Sequence, residues 1–331
     1  MKHISILLFL LWIGFAQSQE ERYVTVKKSV NLMGSPFEIT VISLDEDLGY
    51  IYIQEAIAEI RRIEKLISSW DEESETSQIN RNAGIRPVKV SPELYGLIEK
   101  AIQISRITDG AFDITYTPLR DIWKFDGSMT VMPSQSKIDE VLKRVGYQHI
   151  ELNRAEQTVY LRKKGMLISF GAVGKGYAAD KTKALMVSKQ VKAGIINADG
   201  DITTWGKKAT GEKWLIGVVN PNKKGQLFSW IPILESSVAT SGADSEYMTV
   251  NEKKYTHVLD PRTGYPTTGI HSVSVFAQSA EFSDAMATAI FVMGTNAGLD
   301  LINQLGDTEV IIVDDKNEMF KSSGINFNEN P

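Results

Sequence analysis

Ile53, Ile57, Ile60, Ile63 and Ile67 recur at three- and four-residue spacings, which lines β-branched side chains along one stripe of a helix that must find a core to cover it. The stripe predicts a long amphipathic helix over residues 46–68. Ahead of it, Val24 and Val26, then Phe37, Ile39 and Val41, alternate on either side of Met33-Gly34-Ser35-Pro36, the pattern of a hairpin. A polar loop is expected over 68–82. Ser91-Pro92-Glu93 reads as an N-cap with proline in the first helical turn, opening a helix that runs to Thr108 and stops at Gly110. A loop then carries Phe112 to Trp123, and Ser134 or Ser136 starts a short helix closed by Gly146. Strands are expected at 150–152, 159–161, 166–170, 194–198, 202–205, 214–219, 228–234, 238–240 and 273–276, and helices after Gly176, over 282–292 and over 297–304. A closing hairpin joins 310–313 to 319–320. Strands and helices interleave without strict βα alternation, which predicts an α+β fold, a mixed-sheet core with flanking helices.

Met1-Lys2-His3, an apolar run over 4–15 and Ala16-Gln17-Ser18 have the order of a cleavable export signal. The run is shorter than the roughly 20 residues that span a bilayer, so a mature chain starting near Gln19 is expected rather than an uncleaved anchor. The organisation expected is a signal over 1–18 and a single domain, or two intimate subdomains, over 19–331. The sequence holds no cysteine, hence no lipid-attachment thiol and no disulfide framework; the fold must rest on its core. A soluble, non-lipidated periplasmic protein is the expectation. Net charge is −5 without a basic cluster, which argues against nucleic acid or anionic membrane as partner.

Several groups carry possible chemistry. Gly171, Gly174 and Gly176 fall between an expected strand and a helix, where backbone N–H groups receive phosphate; the spacing is neither a dinucleotide fingerprint nor a Walker loop, and taken alone these glycines read better as a turn that only starts a helix. Asp284 and Thr288, four residues apart, project from one helical face. With a loop carbonyl they would make an oxygen-only site for Mg²⁺; dipole compensation is the other reading of an acid in a first turn. His257, three residues before Asp260 in a loop rich in Pro, Gly, Arg and Thr, is a candidate proton acceptor oriented by a carboxylate. Trp70 and Phe112 are loop aromatics that either stack on a planar ligand or fill the core.

Taken together, Met33-Gly34-Ser35, Ser74 to Asn80, Asp109-Gly110-Ala111-Phe112-Asp113-Ile114-Thr115 with Pro118-Leu119 and Trp123, Gly174-Lys175-Gly176-Tyr177-Ala178-Ala179-Asp180, Thr240-Ser241-Gly242, His257 to Pro266 and Ser283-Asp284-Ala285 to Thr288 resemble the FAD:protein FMN transferases, the ApbE-type flavin transferases. The resemblance implies Mg²⁺-dependent cleavage of FAD, transfer of FMN to a threonine or serine hydroxyl of a partner protein, and release of AMP. It implies metal ligation by Asp284 and Thr288 with the carbonyls of Ala172 and Ala287. It implies FAD contacts at Met33, Trp70, Ala111, Phe112, Asp113, Ser169, Lys175 and Leu259, and His257 as the base that deprotonates the acceptor hydroxyl. The acceptors implied are extracytoplasmic domains of membrane electron-transfer proteins. Two residues depart from the pattern: Ser169 stands where many relatives carry an acid, and Asp199 where many carry glycine. Two other activities fit the same residues, a Mg²⁺-dependent FAD pyrophosphatase and a non-enzymatic flavin-binding protein; the latter has no need of Asp284, Thr288 or His257.

Overall fold

The expected first hairpin pairs β1 (Val24–Leu32) with β2 (Ser35–Ser43) in antiparallel register from Val24↔Ser43 to Leu32↔Ser35. Its two-residue turn needs left-handed backbone at both positions, and Met33 (φ 52°) and Gly34 (φ 73°) supply it. The structure is a computed structural model describing residues 22–219, 227–242, 247–250 and 253–325. The signal expected over 1–18 lies outside the described residues. The chain continues through α1 (Glu46–Ile67), α2 (Glu75–Arg81), β3 (Val88–Lys89), α3 (Pro92–Ile107), α4 (Gln135–Leu142), β4 (Ile150–Asn153), β5 (Thr158–Leu161) and α5 (Gly174–Ser188). The second half holds β6 (Ala193–Ala198), β7 (Asp201–Trp205), β8 (Trp214–Val219), β9 (Leu227–Ile233), β10 (Ser237–Gly242), β11 (Tyr247–Val250) and β12 (Lys253–Thr256). It ends with β13 (Ile270–Ala277), α6 (Ala280–Met293), α7 (Thr295–Gln304), β14 (Glu309–Asp314) and β15 (Met319–Lys321).

Eight strands form one sheet in the order β1-β2-β6-β7-β10-β13-β14-β15, antiparallel at every pairing. The α+β class therefore holds. Side chains alternate across the sheet with period two: Phe37, Ile39, Val41, Ile196, Val273, Val275, Val310 and Ile312 point into the main core with the helices, whereas Ile42, Ala193, Phe276 and Ile311 face the opposite side. On the core side α1 packs on β1 and β2, α5 on β6 and β7, and α6 on β10 and β13, with α5 between its two neighbours. The predicted isoleucine stripe of α1 is buried in that core. The β8–β9 hairpin covers the other face through Trp214, Ile216, Ile231 and Ile233. A smaller cluster gathers Leu119, Trp123, Ile138, Met248 and Leu259. No helix among the described residues is long and apolar enough to cross a membrane.

Two expectations need correction. The supposed polar loop at 68–82 contains α2, short but capped: Ser74 Oγ accepts from Ser77 N–H at 2.9 Å. Residues 166–170 form no strand. Met166, Ile168 and Phe170 are buried as their alternation foretold, but the backbone partners are not strands. The Asn80 side chain takes both Ile168 groups, accepting from its N–H at 2.8 Å and donating to its carbonyl at 3.0 Å, and Ser169 N–H bonds the Ile114 carbonyl.

Candidate active site

The site grows from the contact between α5 and α6. Gly176, in the first turn of α5, lies so close to α6 that a Cβ there would fall 2.2 Å from the Ala280 carbonyl oxygen. Only glycine permits that approach. It lets Gly176 N–H donate to Asp284 Oδ2 at 3.2 Å. Asp180, one turn further along α5, completes the junction by capping α6, accepting from Ser279 Oγ at 2.7 Å and from the N–H groups of Ala280 and Glu281 at 2.9 Å. The glycine turn and the acid of α6 are thus one unit, although 108 residues separate Gly176 from Asp284.

Four charged side chains converge here. Lys175 Nζ lies 3.6 Å from Asp199 Oδ2 and 3.7 Å from Asp201 Oδ2. Asp201 opens β7, is buried, and its Oδ2 has no hydrogen-bond partner. Burial first, then the charge of Asp284, holds the Asp201 carboxyl well above the usual carboxylate range, against the pull of Lys175 and of a bond from the Thr240 backbone. Asp284 is pushed up to about 6 by burial, against Gly176 N–H and Lys175. One lysine among three carboxylates leaves negative charge in excess. Thr288, one turn after Asp284, places Oγ1 3.3 Å from Ser241 Oγ at the end of β10.

These donors fit Mg²⁺. An orphaned buried carboxylate oxygen, a second carboxylate held above its ordinary pKa by burial, and a hydroxyl form a hard, oxygen-only environment short of positive charge. Among the described residues no three His, Cys, Asp or Glu side chains are grouped to hold a metal, so a Mg²⁺ ion here would also need carbonyls, hydroxyls or substrate phosphates as ligands, as Mg²⁺ commonly takes at phosphate sites.

Beside the glycine turn opens a cleft of about 1470 Å³ whose lining includes Trp70, Asn80, Trp123, Ser169, Gly171 and Tyr247. Trp70 is 89% exposed, available for stacking rather than for the core. Met33 sits by the turn, its Cε 3.6 Å from where a Gly174 Cβ would be. The other expected ligand contacts have different surroundings. Ala111 and Phe112 are each 1% exposed, and the Phe112 ring belongs to the main core. Asp113 is buried and fully engaged: Oδ1 accepts from Thr115 N–H and Oγ1, and Oδ2 from Tyr147 N–H at 2.7 Å. Burial raises its pKa against those bonds, and the carboxylate serves to fasten the 109–123 loop to the 146–149 turn. Leu259 is buried in the smaller cluster. Ala172 is half-buried in the glycine turn and Ala287 wholly buried in α6.

His257 follows β12, half-buried. Nearby, both Asp260 carboxylate oxygens are bonded by Arg262, Nε to Oδ1 at 2.9 Å and Nη2 to Oδ2 at 3.0 Å. Asp260 backbone groups also close the loop through Tyr265 and Gly264, and Trp123 Nε1 donates to the Gly264 carbonyl at 2.8 Å. The carboxylate stiffens the loop that presents His257. Sequence reasoning missed Asp201 and the capping role of Asp180. An acid opening a strand that is otherwise buried was the available signal for Asp201.

A glycine turn at a helix N-terminus, a lysine, an oxygen-rich acidic pair and an aromatic-walled cleft define an enzyme site suited to a diphosphate-bearing aromatic ligand. Comparison with known proteins gives the class its family: residues 33–312 match the ApbE family, and the chain belongs to it. A protein of Klebsiella pneumoniae named FAD:protein FMN transferase is 32% identical over 297 residues, covering 89% of this chain and 91% of that one. One of the same name from Treponema pallidum is 27% identical, covering 82% and 80%. The crystal structure of the ApbE protein from Thermotoga maritima superposes with a TM-score of 0.82 at 30% identity, covering 91% of this chain and 97% of that one. The flavin transferase ApbE from Vibrio cholerae, at 22% identity and a TM-score of 0.80, shares the fold.

Proposed function

We propose that this chain transfers the FMN half of FAD to a threonine or serine hydroxyl of a partner protein, forming a phosphoester and releasing AMP, with Mg²⁺ required. The observation that carries the reading is the surplus of buried carboxylate oxygen at Asp284 and Asp201 beside Lys175 and the N-terminus of α5. Asp284 and Thr288, with the Ala172 and Ala287 carbonyls, would hold the metal. When bound, Mg²⁺ offsets the negative charge of the diphosphate and of the departing AMP oxygen. Lys175, at the N-terminal end of α5, binds and aligns the phosphates. Trp70 covers the isoalloxazine or adenine ring at the cleft mouth. The acceptor hydroxyl oxygen forms a bond to the FMN phosphorus, the bond from that phosphorus to the AMP oxygen breaks, and the hydroxyl proton passes to His257.

Export by the segment over 1–18 completes the proposal: the acceptors are extracytoplasmic domains of membrane electron-transfer proteins, and FAD itself supplies the phosphoanhydride that drives bond formation. Asp284→Ala tests the metal assignment. Loss of FAD turnover with an unchanged circular dichroism spectrum is expected; full turnover in the variant would contradict it.

A further inference from the structure

Asp199 stands in the left-handed region at φ 58°, followed by Gly200 at φ 101°. Residues with a Cβ enter that region at a cost, Asp and Asn less than most. The turn does not depend on the Asp199 side chain, since Asn197 Oδ1 accepts from Gly200 N–H at 2.8 Å. What the carboxylate does is reach Lys175, with Oδ2 3.6 Å from Nζ. The two acids flanking this lysine differ. Asp201 is 4% exposed on its side chain and fixed at the start of β7, whereas Asp199 is 45% exposed and borders solvent.

We infer that Asp199 is a displaceable counter-ion that holds the Lys175 ammonium and competes for it with the phosphates of an incoming nucleotide. The inference rests on the proposed flavin-nucleotide reading and deepens it, making Asp199 a positioning residue that sets affinity for the diphosphate. Lys175 lies in the first turn of α5, where an anion would arrive. An anion there meets a lysine already shared by two carboxylates, and Asp199, the exposed one, is the one it can displace. Asp199 therefore weakens nucleotide binding by occupying the ammonium that the phosphates would otherwise pair with.

The test is equilibrium binding of FAD in EDTA, read by quenching of flavin fluorescence, for wild type, Asp199→Asn and Asp199→Gly, the substituted residues both being at ease at positive φ. Both variants should bind FAD roughly two- to fivefold tighter than wild type at low salt, the scale of one partly exposed ion pair. The gain should shrink at high salt and vanish in a Lys175→Met background. In turnover the larger effect should fall on KM for FAD. Unchanged or weaker binding in both variants, or a gain that survives Lys175→Met, would overturn the role of Asp199 while leaving the flavin reading intact. Failure of wild type and variants alike to bind FAD would overturn both.

Discussion

Asp284→Asn should make the metal-free protein more stable while abolishing its chemistry. Burial raises the Asp284 pKa from 3.8 to about 6, and at ~1.4 kcal/mol per unit that rise means ionised Asp284 costs the fold about 3 kcal/mol. The sign follows from proton binding. Between pH 3.8 and about 6 the folded state holds a proton on this group that the unfolded chain has released, so stability falls as pH rises through that window. The cost is absent below it and complete above it. Asparagine keeps an oxygen for Gly176 N–H and carries no charge to desolvate. Urea denaturation in EDTA should therefore show Asp284→Asn gaining on wild type as pH is raised from 4 to 7, by up to about 3 kcal/mol. Adding Mg²⁺ should raise the stability of wild type and not of the variant. A variant less stable than wild type at pH 7, or a difference independent of pH, would refute the claim that Asp284 is a desolvated carboxylate awaiting a cation.

Gly176→Ala should lose ~1–3 kcal/mol in denaturant titration and weaken Mg²⁺ binding in calorimetry, because the new methyl meets the Ala280 backbone and must part α5 from α6. Asp180→Ala removes three bonds at the start of α6 and should cost ~1–2 kcal/mol, seen as a lower Tm. Trp70→Ala should leave stability within ~0.5 kcal/mol, since the ring is exposed, yet raise KM for FAD in steady-state kinetics.

Periodicity and caps carried most of the fold. The α1 stripe, the hairpin about Met33-Gly34 and the Ser91-Pro92 helix start are local patterns, written within one element. The failures came where a side chain replaced a backbone partner. Residues 166–170 read as a strand because Met166, Ile168 and Phe170 alternate, but their hydrogen bonds go to Asn80 and Ile114, which no local pattern announces. The helix α2, seven residues long, has too few positions to display an apolar period. In the site, Asp284, Thr288 and Lys175 were visible as motif residues, and the need for Gly176 became clear only from the closeness of α6. Asp201 stayed hidden because an acid after Asp199-Gly200 looks like turn chemistry until β7 buries it. Phe112 shows the converse: a loop aromatic in a motif that the core takes for itself.

The activity proposed for this chain is group transfer from FAD to protein. It is tested most directly by incubating the purified chain with FAD, Mg²⁺ and an extracytoplasmic acceptor domain, then measuring AMP by chromatography and acceptor mass by mass spectrometry in one sample. One AMP released for each FMN-sized mass gain on a single acceptor hydroxyl is the expected result. AMP and free FMN accumulating together with no mass gain would contradict it in favour of hydrolysis, and intact FAD throughout would contradict it in favour of binding alone.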